Sequence, residues 1–104
     1  MAWIYLLIAG VLEIVWAYAM KLSDGFSRPW PTAVTLVAMA ASFVLLSLSM
    51  KSLPLGTAYM IWTGIGAVGA FVVGILLLGE PASAMRILAA VLIVGGLVLL
   101  KISS

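Results

Sequence analysis

The sequence has little charge and lacks two residue types on which much enzyme chemistry depends. Its 104 residues include no cysteine and no histidine, which excludes disulfides, thiol nucleophiles, serine–histidine triads and the usual zinc sites. Charged residues make up 8% of the chain, against about 25% in a typical soluble domain. The five basic residues are scattered, whereas a nucleic-acid groove needs them clustered. We therefore expect no enzymatic activity, no cofactor or metal, and no nucleic-acid partner.

Hydrophobic residues make up 66% of the chain and fall into four long runs. Each run is close to the ~20 residues that cross a ~30 Å hydrocarbon layer as a helix. Three of the four prolines and five of the eight charged residues lie between the runs, as loops require. The sequence therefore predicts an all-α membrane protein, in which residues 1–104 form a single domain of four transmembrane helices. The predicted helices cover residues 2–20, 31–50, 57–78 and 84–100.

The basic residues give almost no signal for orientation in the membrane. With a cytoplasmic N-terminus, Lys51 and Lys101 would lie inside and Lys21, Arg28 and Arg86 outside. A clear excess of basic residues on one side normally fixes the orientation. Two interpretations remain open. Either hydrophobicity or the α-amino group sets a single orientation, or copies insert in both directions and pair as an antiparallel homodimer.

Glu13 lies near the centre of the first run, where an acidic residue costs about +2.5 to +3.5 kcal/mol to insert. Burial there disfavours the ionised carboxylate, which favours proton exchange. A permanently protonated acid or a polar clamp between helices is the alternative. Helical spacing places Gly10, Trp16 and Ala17 on the same face. Trp16 lies deeper than an interfacial aromatic belt, so we interpret it as a site residue, whereas the small residues could equally serve close helix packing.

Ser42 lies in the middle of the second run, at the depth of Glu13. It belongs to a stripe of hydroxyl residues spaced seven apart, with Thr35 before it and Ser49 after it, and Met39 lies beside this stripe. Hydroxyls in membrane helices often bond to a carbonyl of their own helix. That role is sufficient for Thr35 and Ser49, so Ser42 is the candidate site residue of the stripe.

The third run carries an aromatic pair followed by small residues. Tyr59 and Trp62 are one helical turn apart, and the stripe continues through Gly66 and Ala70. An aromatic belt is the alternative, but the small residues favour a cavity wall. Residues 64–69 spell G-x-G-x-x-G, which indicates a dinucleotide site only at a strand-to-helix turn. Inside a membrane helix these glycines are expected to permit close approach or bending.

The fourth run has small residues at positions seven apart, Ala89 and Gly96. Such a seam suits packing against a partner helix. No extensive polar face competes for this helix, so we predict that it builds the dimer rather than the site.

These residues together resemble the small multidrug resistance family, and the likeness covers the whole chain. It rests on Gly10-x-x-Glu13-x-x-Trp16-Ala17, on Ser42, on residues 56–67 (GTAYMIWTGIGA) and on residues 21–28 of the first loop. Trp16, residues 62–67 and Lys101 look like the guanidinium-exporter branch. The polyaromatic-drug branch usually has a small residue at the position of Trp16, and bulkier ones where Gly10 and Met39 stand.

The resemblance implies a transporter of the inner membrane that exports guanidinium and small substituted guanidiniums in exchange for protons. It implies an antiparallel homodimer in which Glu13 of both subunits forms one central site for substrate or proton. Trp16 and Ser42 would orient the two carboxylates, and Tyr59 and Trp62 would line the cavity. Gly10 and Met39 complete the expected pocket. Met60 departs from the small residue expected beside Tyr59, which affects the expected width of the opening between the second and third helices.

The chemistry of guanidinium fits this interpretation independently. Guanidinium is planar, stays charged, and offers paired N–H donors that match a carboxylate. A protonated carboxyl cannot make this pair, so proton and cation compete for Glu13. Two alternatives are an exporter of quaternary ammonium cations and, from another class, a proton-carrying or structural membrane subunit. A subunit of that kind needs no aromatic pocket, so Trp16, Tyr59 and Trp62 count against it.

Overall fold

The computed structural model describes residues 1–103, which form four α-helices, and Ser104 lies outside the described part. Each helix is long and apolar enough to cross a membrane. The predicted all-α architecture with four spanning helices is therefore confirmed. The helices are α1 (Ala2–Leu22), α2 (Pro29–Ser49), α3 (Leu55–Leu78) and α4 (Ala84–Ser103).

The helices extend further than predicted because their terminal turns accept residues that looked like loop residues. α1 includes Lys21, whose charge is favourable beside the free carbonyls of a helix C-terminus. α2 begins at Pro29, since proline lacks only an N–H that has no helical partner in the first turn. α3 begins directly after Pro54, and α4 continues through Lys101. Basic residues therefore occur in the last turns of α1 and α4, and proline at the starts of α2 and α3, as well as in the loops.

The connection between α1 and α2 is a short turn organised by a buried serine. The Ser23 hydroxyl donates to the Met20 carbonyl at 2.6 Å and accepts from the Phe26 amide at 3.1 Å. Asp24, Gly25 and Phe26 all have positive φ, between 50° and 72°. This turn reverses the chain within a few residues, so α1 and α2 run antiparallel as neighbours.

α1 is the central helix of the packing, with α2 and α3 against it, while α4 packs against α3. The core therefore lies among α1, α2 and α3, and no residue of α4 is fully buried. The buried apolar side chains of this core are Leu6, Ala9, Leu46, Ala58, Ile61 and Trp62.

The glycines of α3 bring the helices into close contact. A Cβ atom on Gly64 would overlap Leu97 of α4, and one on Gly69 would overlap Ile14 of α1. The expected close approach at residues 64–69 is thus confirmed, and it serves two interfaces. α1 contributes in the same way at Gly10, where a Cβ atom would lie 2.6 Å from Cγ2 of Ile65.

Candidate functional site

Glu13 projects from α1 towards a gap in α3 that a glycine provides. Its side chain is half-buried, and its Oε1 atom is buried without a hydrogen-bond partner among residues 1–103. A Cβ atom on Gly66 would overlap this carboxylate. Gly66 therefore provides the space in which the Glu13 carboxylate lies.

Trp16 lies one turn further along the same face of α1. Its Nε1 atom is the second buried polar side-chain atom without a partner in the described part of the chain. Leaving a buried donor or acceptor unpaired costs about 1–3 kcal/mol, so native structures rarely contain such atoms without a reason. One free acceptor and one free donor on a single helix face form an arrangement suited to binding a polar group.

Ser42 connects three helices through two hydrogen bonds. Its hydroxyl is fully buried, donates to the Ala9 carbonyl of α1 at 2.7 Å, and accepts from Nε1 of Trp62 at 3.0 Å. The serine proton is thus engaged with the α1 backbone, and the Trp62 ring is fixed in orientation. These bonds hold the part of α1 that precedes Glu13 against α2 and α3.

Four aromatic rings form a continuous row across the bundle. Trp16 meets Phe43 edge-on at 6.4 Å between centroids, Phe43 meets Trp62 at 5.8 Å, and Trp62 meets Tyr59 at 5.6 Å. Tyr59 is 52% exposed and ends the row. Aromatic faces attract cations, and two of the four rings, those of Phe43 and Tyr59, are about half exposed.

Phe43 is the member of this row that the sequence did not single out. It follows Ser42 directly and therefore shares the depth of Glu13, which is the signal that could have identified it. The hydroxyl residues spaced seven apart in the second run indicate the neighbouring face of α2, to which Phe43 does not belong. The contacts with Trp16 and Trp62 place Phe43 between two predicted site residues.

The remaining hydroxyls of the α2 stripe bond within their own helix, as expected. Thr35 donates to the Pro31 carbonyl and Ser49 to the Leu46 carbonyl, each at 2.7 Å. Ser42 is therefore the hydroxyl of the stripe that reaches other helices.

Three further residues of the predicted pocket and its opening differ in their surroundings. Gly10 is buried at the contact of α1 with Ile65 of α3. Met39 is half-buried on α2, and Met60 is 55% exposed on α3. The roles of these residues in the pocket remain predictions.

The predicted dimer seam lies on the exposed surface of α4, beside α3. Ala89 and Gly96 are exposed, and a Cβ atom on Gly96 would meet nothing within 4 Å. Gly96 also borders an apolar groove of about 640 Å³ between α3 and α4. The seam is therefore accessible to another helix, and its role in dimerisation remains a prediction.

Comparison with known proteins places this arrangement in a family. The sequence model described as Small Multidrug Resistance protein matches residues 1–93. The chain is 61% identical over 104 residues to the guanidinium exporter of Yersinia pseudotuberculosis, with both chains covered completely. It is 60% identical to the guanidinium exporter of Salmonella typhimurium and 56% identical to that of Citrobacter freundii, each over all of this chain and 99% of the relative.

Proposed function

Because the chain belongs to the small multidrug resistance family, we propose that it exports guanidinium in exchange for protons. It is a multi-pass transporter of the inner membrane, with four apolar spanning helices. The relatives named guanidinium exporters support the substrate. The observation that carries the proposal is the unpaired buried Oε1 atom of Glu13, one turn from the unpaired Nε1 atom of Trp16.

Glu13 is the proposed site of both substrate and proton. An ionised carboxylate accepts two parallel N–H bonds from a planar guanidinium, and such charge-assisted bonds are about twice as strong as neutral ones. Protonation removes the charge and one acceptor site, so the bound cation is released. Because one carboxyl serves both ligands, it binds guanidinium from one side of the membrane and a proton from the other. The two ligands are thereby exchanged across the membrane.

The surrounding side chains support the proposal by their placement. Trp16 has an unpaired Nε1–H donor one turn from Glu13, and its ring meets that of Phe43 edge-on. Ser42 fixes Trp62 through a hydrogen bond. This fixes the orientation of the Trp62 ring, so one ring of the row does not have to be ordered when a planar cation binds.

The exchange is proposed to occur in an antiparallel homodimer with both Glu13 carboxylates in one shared site. The near-equal count of basic residues on the two sides supports insertion in both directions. α4 supports a dimer because it packs against α3 and buries no residue completely. In such a pair the inward-open and outward-open states are the same structure viewed from opposite sides, so neither is favoured without a gradient.

The test is proton flux in liposomes that contain the purified protein. Guanidinium is added outside, and the internal pH is followed for the wild type, Glu13→Gln and Asp24→Asn. Asp24→Asn is the matched control, because it removes an acidic group from the exposed first turn and asparagine tolerates the positive φ found there. We expect guanidinium-driven proton flux in the wild type and in Asp24→Asn, and none above empty liposomes in Glu13→Gln.

Proton movement driven by guanidinium in Glu13→Gln would refute the shared carboxylate. Guanidinium uptake without proton movement in the wild type would refute proton antiport, but guanidinium would still be the substrate. Reporter fusions at the C-terminus test the orientation separately, since activity from only one side of the membrane would exclude dual insertion.

Export of quaternary ammonium cations is the second candidate, and the aromatic row favours it. A quaternary ammonium donates no hydrogen bond but is attracted to aromatic ring faces, and Phe43 and Tyr59 are the exposed rings of the row. Tetramethylammonium and guanylurea are therefore added in the same liposome assay. Greater flux with tetramethylammonium than with guanidinium would favour this candidate.

A further inference from the structure

A recess of about 340 Å³ opens between α1, α3 and the start of α4, and none of its lining residues belongs to the aromatic row. Its charged lining consists of Lys21, Glu80 and Arg86, and Tyr18 adds a hydroxyl. The rest of its wall is mostly small or apolar and includes Ala70 and Phe71. The recess therefore has a charged rim and an apolar interior.

The rim lies at the end of the membrane-spanning segments. Lys21 is the last residue but one of α1, and Arg86 is in the first turn of α4. Since a helix of about 20 residues spans the hydrocarbon layer, both cations lie at the level of the lipid headgroups. The apolar wall continues from there into the hydrocarbon region.

Arg86 is held in place on two sides. Its guanidinium lies 3.9 Å from Oε1 of Glu80 and 5.4 Å from the centre of the Phe71 ring. Glu80 is itself positioned, because its amide donates to the Gly74 carbonyl at 3.0 Å and its carboxylate lies in the space left by the missing side chain of Gly74. The cation therefore lies at the mouth of the recess, next to the Glu80 carboxylate and the Phe71 ring.

The charges of the rim leave one positive charge in excess, since Lys21 and Arg86 face a single acid, Glu80. We propose that the recess binds one anionic glycerophospholipid, with its phosphodiester between Lys21 and Arg86 and an acyl chain along Ala70 and Phe71. A phosphodiester carries one negative charge and offers oxygens that match an arginine. Basic recesses between membrane helices bind anionic headgroups in this way.

The apolar wall is the reason for choosing a lipid rather than free phosphate. A soluble phosphate uses only the rim, whereas a lipid also covers the apolar interior. Phosphatidylglycerol carries the net negative charge that neutralises the excess, while phosphatidylethanolamine carries none. The site therefore discriminates between these two headgroups.

Native mass spectrometry of the protein in detergent tests the proposal with added phosphatidylglycerol, phosphatidylethanolamine or inorganic phosphate. We expect one phosphatidylglycerol per chain, weaker retention of phosphatidylethanolamine, and no displacement by inorganic phosphate. Lys21→Gln and Arg86→Gln each weaken retention about fivefold, which corresponds to about 1 kcal/mol for each basic residue near the headgroups.

The matched control is Lys51→Gln, which removes an exposed lysine at the opposite membrane edge. It leaves retention unchanged. Ala70→Leu fills the recess without changing its charge, and it also lowers retention, which keeps the test valid if Arg86→Gln folds poorly. The proposal is overturned if Lys51→Gln lowers retention of phosphatidylglycerol as much as the rim variants do, or if inorganic phosphate displaces the lipid.

Discussion

The first three helices and the fourth are all apolar enough to span a membrane, yet they differ in what they bury. α1, α2 and α3 enclose side chains on their shared faces, including the hydroxyl of Ser42, whereas no residue of α4 is fully buried. Apolar composition therefore does not distinguish a helix that builds a site from one that faces lipid or a second copy. The distinction comes from where the few polar and small residues lie.

Glycine illustrates the difference between the two regions. On α3, the Glu13 carboxylate occupies the space that a side chain at Gly66 would fill. On α4, Gly95 and Gly96 face open space. The same residue type thus provides room for a functional group in one region and an accessible surface in the other. Matched substitutions in the two regions test whether this difference matters for transport.

The largest effect is expected from Gly66→Ala. The added methyl group overlaps the Glu13 carboxylate, and the flexible end of that side chain moves at little expense to the fold. Misplacing a reacting group by about 1 Å can lower a rate by about 100-fold, so we expect guanidinium-driven proton flux to fall by about that factor. The liposome assay measures the flux, and thermal unfolding in detergent checks the fold.

Gly95→Ala is the control, since a Cβ atom there meets nothing within 4 Å. It should leave both flux and unfolding temperature near the wild-type values. If Gly66→Ala transports as fast as Gly95→Ala, the space beside Glu13 has no functional importance.

The next effect concerns the stability of the three-helix region. Ser42→Ala leaves Nε1 of Trp62 without its acceptor, and an unsatisfied buried donor costs about 1–3 kcal/mol. We expect the free energy of unfolding in mixed micelles to fall by that amount. Ser47→Ala, at an exposed position of the same helix, should change it by less than about 0.5 kcal/mol. Equal effects of the two variants would contradict the bridging role of Ser42.

A smaller effect is expected on α4, and it should appear in assembly rather than in substrate binding. Replacing both Ala89 and Gly96 with leucine blocks the seam, and overpacking of an interface costs about 1–3 kcal/mol. We expect the dimer dissociation constant to rise by roughly tenfold, which corresponds to about 1.4 kcal/mol. Energy transfer between labelled copies measures this constant.

The paired control replaces Val91 and Val98 with phenylalanine, since both are exposed on the opposite face of α4. This variant should dimerise like the wild type. Loss of guanidinium affinity before any loss of dimer in the seam variant would refute the assignment of α4.

The sequence predicted the parts of this fold that follow from local patterns. Run length and charge placed all four helices, and the depth of Glu13 identified the acid whose carboxylate lies against α3. The glycines of residues 64–69 were predicted to allow close approach, which they do at two interfaces. The predictions of the helices and of the close approach succeeded because each depends on one helix and its register, while the role of Glu13 stays a prediction.

Contacts between residues far apart in the chain could not be predicted in the same way. Phe43 joins the aromatic row only when α2 lies between Trp16 and Trp62. The space for the Glu80 carboxylate beside Gly74 likewise depends on how the chain turns after α3. Helix periodicity gives the face of a residue, but the neighbour opposite that face is set by the packing of the whole bundle.

The smallest expected effect concerns a contact between the two regions near the C-terminal end of α4. Nζ of Lys101 lies 4.3 Å from the centre of the Trp3 ring of α1, whereas the rest of α4 packs against α3. A cation over an exposed aromatic ring contributes about 0.5–1 kcal/mol. We therefore expect Lys101→Gln to lower the free energy of unfolding by that amount and Lys101→Arg to preserve it, with Lys51→Gln as the charge-matched control. If Lys51→Gln destabilises the protein as much as Lys101→Gln does, the effect is one of overall charge, and α4 is attached to the three-helix region through α3 alone.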